Sequence, residues 1–161
     1  MTHFEISTHI AAAPQRVFDV SLDVDVHTSS MAGSGERAVE GVTAGRMPLG
    51  DTVTWQARHF GLRWQMTPCI SAFDPPGYFV DEQVSGPFKQ WHHAHHFERD
   101  EYVSTLMRDV IDFAAPLGLL GTLAEAVMLD RYMPRLIRVR NEHVKATAEA
   151  TVGGTSSSVG T

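Results

Sequence analysis

The chain has 161 residues, 43% of them hydrophobic and 20% charged, with one cysteine and a formal net charge of -6. That length suits a single domain with a sizeable core, the mild acidity without charge blocks argues against nucleic acid as a partner, and a lone thiol excludes an internal disulfide and fits a reducing compartment. No basic-then-apolar leader opens the sequence, and Phe113 to Leu129 is too short and too broken by Pro116, Gly118 and Gly121 to span a membrane, so the chain reads as cytoplasmic. His3 to Ile10 alternates Phe4, Ile6, Thr8 and Ile10 against polar neighbours, which predicts a half-buried strand. Pro14 then stands where a helix's first turn tolerates proline, predicting a short helix to about Leu22 and a second over Val26 to Met31. Arg37 to Gly41, Thr52 to Phe60, Leu62 to Phe73 (bulged at Pro68), Tyr78 to Val84, Phe88 to Glu98 and Tyr102 to Phe113 read as an antiparallel meander. Leu117 to Lys145 is the one long amphipathic helix, with Leu119, Leu123, Val127, Met133, Ile137 and Val144 as its apolar stripe. Pro134 predicts a kink or a break in it. The small and polar residues from Ala146 to Thr161 predict a disordered tail after a domain of residues 1-145.

The strand around Trp91-His92-His93-Ala94-His95-His96-Phe97 carries the strongest chemical signal. With period 2, Trp91, His93, His95 and Phe97 share one face and His92, Ala94 and His96 the other. Facing residues pair across a hairpin only when their parities agree. The turn at Ser85 to Pro87 therefore brings Phe79, Asp81 and Gln83 onto the histidine face, and the turn at Arg99 to Glu101 adds Thr105, Met107, Asp109 and Ile111. One face then collects Asp81, Gln83, His93, His95 and Asp109.

The order of certain residues along the chain is family-like. They run from Ala13-Pro14 and Phe18 through Gly50-Asp51-Thr52-Val53, Trp55, Gly61, Trp64, Ile70, Pro75-Pro76, Phe79, Asp81 and Gln83. They continue with Gly86-Pro87-Phe88, Trp91, His93, His95, Phe97, Thr105, Asp109, Phe113, Pro116, Gly118 and Arg140-Asn141. Over residues 3 to 145 the chain resembles the START/Bet v 1-like (SRPBCC) superfamily, more narrowly bacterial proteins of the polyketide cyclase/dehydrase and lipid-transport type. The resemblance implies an α+β helix-grip fold: a curved seven-stranded antiparallel sheet wrapped on a long C-terminal helix, with two short helices after the first strand. It also implies a cavity for a lipid, a polyketide or another apolar molecule.

Three readings compete for the cluster. It is a structural layer in which Asp109 fixes the tautomer of one histidine and Gln83 satisfies the other; or it lines the cavity and reads a hydroxyl or carbonyl; or the His-x-His pair with a carboxylate ligates an ion such as zinc. The expected ligand-binding set is Trp55, Trp64, Asp81, Gln83, Trp91, His93, His95, Met107 and Asp109, with no metal or other cofactor assigned. Binding of a small apolar or aromatic molecule is the leading function. The alternative is a polyketide cyclase or dehydratase in which His93 or His95, held by Asp109, moves protons without a covalent nucleophile. A third class, a surface that docks a partner protein, requires an interior filled by side chains. Cys69 is read as inert, Asp130 as solvated, the arginines of the long helix as its water-facing side, and His3, His9, His27, His59 and His143 as structural or exposed. The chain is expected to be a monomer or homodimer.

Overall fold

The computed structural model describes residues 1–100, 103–114 and 123–150. The strands are β1 (Thr2–Ile10), β2 (Arg37–Gly41), β3 (Val53–His59), β4 (Leu62–Asp74), β5 (Tyr78–Ser85), β6 (Gln90–Asp100) and β7 (Ser104–Ala114). They form one antiparallel sheet in the order β1-β7-β6-β5-β4-β3-β2. Helices α1 (Pro14–Ser21) and α2 (Val24–Ser30) lead from one edge of this sheet to the other, and α3 (Leu123–Ala150) closes the described chain. Seven strands, two short helices and one long one are the helix-grip arrangement that the sequence led us to expect.

Local causes are visible at each joint. Pro14 opens α1, whose inward face is Val17, Phe18 and Val20. Phe18 is fully buried and meets Phe73, Phe79 and Phe97 edge to face at 5.3, 5.7 and 5.5 Å. Such ring pairs contribute about 0.5–1.5 kcal/mol each beyond area burial, so this one side chain clamps α1 onto three strands. Asp23 caps α2 by accepting from the backbone N–H groups of Asp25 and Val26 at 2.9 and 3.0 Å. The expected bulge in β4 falls between Thr67 and Pro68, where proline has no N–H to give the ladder, and a second lies between Ile70 and Ala72. β2 is a short edge strand, mostly exposed and bulged between Ala38 and Glu40.

Of the two outcomes expected at Pro134 the break does not occur, since the helix is continuous there. One prediction needs correction: the helix continues to Ala150 rather than stopping at Lys145. Ala148 is fully buried, and Glu149 Oε1 accepts from the Ala11 N–H at 2.8 Å, so residues 146 to 150 belong to the packed body and not to a tail. The remainder of the expected tail, residues 151 to 161, lies outside the described residues, as do Tyr102, Leu119 and the breakers Pro116, Gly118 and Gly121.

The interior divides along the strands. Ile6, Trp91, Ile111, Phe113, Met133 and Ile137 form one apolar cluster, while Ile10, Phe18, Phe79, Phe97, Met107, Val144 and Ala148 belong to another. Between them β6 contributes His93 and His95, β7 contributes Asp109, and α3 contributes Arg140 and Asn141, all buried. A polar belt thus crosses the core where two oily halves would otherwise merge.

Candidate functional site

The hairpin register places the belt as parity required. Asp81 lies opposite His93, and His95 lies opposite both Phe79 on β5 and Asp109 on β7. The neighbours His92 and His96 are on the other face, where Tyr78 packs against His96. His93 is 4% exposed, His95 1% and Asp109 0%, so these groups work in a dry environment. The two imidazoles lie ring over ring, 3.8 Å between centroids and tilted by 35°, and Phe79 stacks on the far face of His95 at 4.1 Å.

Each histidine has a carboxylate on either side. His93 Nε2 donates to Asp109 Oδ1 at 2.8 Å, and His95 Nε2 donates to Asp81 Oδ2 at 3.0 Å. His93 Nδ1 is 3.6 Å from Asp81 Oδ2. His95 Nδ1 is 2.8 Å from Asp109 Oδ1 but is not aligned for a hydrogen bond. Trp91 Nε1 donates to Asp81 Oδ1 at 3.1 Å, and Asn141 Nδ2 donates to Asp109 Oδ2 at 2.7 Å. Arg140 stands 3.6 Å from Asp109 and donates to Asn141 Oδ1 and the Ser21 carbonyl.

These contacts set the charges. Burial pushes the Asp109 carboxyl up, but the His93 hydrogen bond and the close His95 ring outweigh it and hold the group well below the usual carboxylate range. Asp81 is likewise pushed up by burial and pulled down further by His95, His93 and Trp91, to about 2. Burial, with His95 beside it, lowers His93 to about 4 despite Asp109. Two carboxylates and one guanidinium therefore share the belt with a neutral His93 near pH 7.

A cavity of about 190 Å³ lies between the sheet and α3, and Asp81, His93 and His95 are part of its wall. The interior is not filled by side chains, as a purely protein-docking role required. Trp55, Trp64 and Trp91 also line the space. Three members of the expected set do not. Gln83 sits at the hairpin tip, where Phe88 lacks a ladder partner. There Gln83 Nε2 donates to the Phe88 carbonyl at 2.7 Å and its Oε1 accepts the Phe88 N–H at 3.2 Å, so it satisfies the turn and not a histidine. Met107 is one rung past the belt, fully buried against α1. Asp109 is behind the histidines, sealed from the cavity that they face.

Other wall residues carried no sequence signal of their role. Arg140, read as water-facing, is 5% exposed, reaches both the belt and the cavity, and leaves the water-facing reading only to its neighbours on the helix. His27 stacks on Trp55 at 4.2 Å and donates to Glu36 at 2.6 Å, and His59 hydrogen-bonds the Tyr132 hydroxyl at 2.7 Å, tying β3 to α3 along the cavity. Burial lowers His59. A parity rule finds neighbours within a meander, and none of these pairs belongs to one hairpin. Cys69 gives its thiol to the Gly50 carbonyl, and Asp130 is exposed and accepts from Thr2, as expected.

The model of the polyketide cyclase / dehydrase and lipid transport family matches residues 1–149. The chain belongs to that family. Among solved structures similar to this family member, the Zhui aromatase/cyclase from Streptomyces sp. R1128 superimposes with a TM-score of 0.75 at 17% identity, covering 98% of this chain and 99% of that one. A START superfamily protein from Mycobacterium smegmatis gives 0.69 at 12% identity, covering 92% and 98%. The major latex-like protein 151 of Panax ginseng gives 0.63 at 14%, covering 91% and 97%. Likenesses this distant establish the shared fold. No curated protein sequence matches the chain. Among the described residues, no helix is long and apolar enough to cross a membrane.

Proposed function

We propose that the chain binds a small apolar, ring-bearing molecule between the sheet and α3, with Asp81, His93 and His95 reading a hydroxyl or carbonyl at its end. The observation that supports this is the cavity itself: a space walled largely by apolar side chains with one convergent polar corner. Its volume of about 190 Å³ is below the roughly 300 Å³ at which pockets for drug-sized molecules begin, so the guest is small. The family description, which names polyketide cyclases and lipid transport, and the neighbour named as an aromatase/cyclase both favour a hydrophobic guest.

Tryptophan fluorescence tests the reading, because Trp55, Trp64 and Trp91 all border the cavity. Titration with 2-naphthol and with naphthalene should show saturable quenching by both, with the hydroxylated ring bound about tenfold tighter, the worth of one hydrogen bond to a charged acceptor. Asp81→Asn should narrow that gap. Absence of saturation by either ring, or equal affinity for both, overturns the proposal.

A second reading is proton-transfer chemistry of the cyclase or dehydratase kind. It is favoured by His93, whose Nε2 is pinned by Asp109 while Nδ1 is on the Asp81 side, the orientation a general base needs. Replacing both His93 and His95 by glutamine separates the readings: a catalyst loses turnover, whereas a carrier keeps weakened retention.

A further inference from the structure

Four imidazole nitrogens of the belt lie within 3.6 Å of a carboxylate oxygen. Asp81 Oδ2 faces one nitrogen of each ring, His93 Nδ1 at 3.6 Å and His95 Nε2 at 3.0 Å, while the other nitrogen of each ring is 2.8 Å from Asp109 Oδ1. A carboxylate thus stands on either side of two imidazoles whose centroids are 3.8 Å apart.

We propose that a divalent transition-metal ion of the zinc type completes this site, held by His93 Nδ1, His95 Nε2 and Asp81 Oδ2. Among the described residues these three are the cluster whose donor atoms all lie within 4.8 Å of one another. The Asp81 oxygen is 3.0 and 3.6 Å from the two nitrogens, bracketing the roughly 3.3 Å expected between ligands that sit about 2.0–2.1 Å from a tetrahedral zinc. The nitrogens turned away from that centre, His93 Nε2 and His95 Nδ1, each lie 2.8 Å from Asp109 Oδ1, and the His93 hydrogen bond to it fixes that ring from behind as an outer carboxylate does for a ligand histidine.

The outer groups are in place for the same task. Asn141 and Arg140 hold Asp109, and Trp91 occupies the Oδ1 atom of Asp81, leaving Oδ2 for the ion. Imidazole with carboxylate suits zinc, cobalt or nickel better than magnesium or calcium. The three ligands line the cavity, so a fourth position faces it and would take water or the oxygen of an alcohol, enol or carboxylate. None of this depends on the apolar guest.

The test is titration of the chelator-treated full-length protein with Co²⁺ alone, read in the visible spectrum. One equivalent should develop the intense bands of a four- or five-coordinate site and be displaced by Zn²⁺. His95→Gln and Asp81→Asn should abolish the bands, Asp109→Asn should weaken affinity about 10- to 100-fold, and His9→Gln on the surface should change nothing. Absence of the bands in the unmodified protein, or bands undiminished in both ligand variants, overturns the site. Should the variants fail to fold, zinc X-ray absorption on the unmodified protein decides, since a first shell without two imidazoles overturns it equally. Binding of 2-naphthol to the metal-free protein is measured separately, so failure of either proposal is visible without the other.

Discussion

At the scale of single residues, the belt makes stability depend on pH in one direction. Asp81 and Asp109 have depressed carboxyl groups, so their contribution is present above the ordinary carboxylate pKa and is lost as pH falls through the folded-state values. His93 is held neutral down to about 4, whereas the unfolded chain takes that proton near 6.5. Each proton taken up preferentially by the unfolded chain costs about 1.4 kcal/mol per pH unit. Urea midpoints of the metal-free protein should therefore drop steadily from pH 6.5 to 4, and His93→Gln should flatten that slope. A midpoint independent of pH across this interval contradicts the dry, neutral imidazole. Much of this was legible beforehand, because alternation alone put Asp81, His93, His95 and Asp109 on one face. Gln83 was misassigned because parity gives the face and says nothing of whether a hairpin tip claims the side chain first. Arg140 was missed for a related reason: charge on an amphipathic helix points outward unless a buried anion waits for it, and Asp109 is on a strand 31 positions earlier in the chain.

At the scale of elements, the strands were the readable part. Turn residues and period-2 runs located all seven, and Pro68 announced its own bulge. Helix α3 was harder, since its end carries alanines and threonine that look like a linker until α1 and β1 are placed beside them. Ending the chain after Lys145 removes the buried Ala148, the acceptor for the Ala11 N–H and the Thr147 carbonyl that Arg16 reaches at 3.3 Å. Losing these together should cost about 2–4 kcal/mol, given roughly 1 kcal/mol per hydrogen bond plus the apolar area uncovered around α1. Chemical denaturation compared with a chain ending at Ala150 measures this. Equal midpoints would show that the last turn of α3 carries no weight. The continuity of α3 through Pro134 shows that tertiary contacts override a local penalty of about 3 kcal/mol, here with Met133 and Ile137 buried on either side.

At the scale of the molecule, a guest bound only by the folded state raises the melting temperature by mass action. At a concentration of 2-naphthol one hundred times its dissociation constant the gain is about 2.7 kcal/mol. For a chain of this length that corresponds to roughly 5–10 °C, readable by differential scanning calorimetry. No shift, where fluorescence reports saturation, would place the ring on a surface that also exists in the unfolded chain. The sheet itself has two free rims, and the one formed by β2 is brief, with Arg37 and Glu40 along it and a bulge midway. A second molecule offering its own strand there would find hydrogen-bond partners out of step by one residue and charges in the way. The hollow that makes room for a guest leaves the interior less filled than a solid core, and that misaligned rim gives a loosened copy one fewer straight edge from which to template fibrous growth.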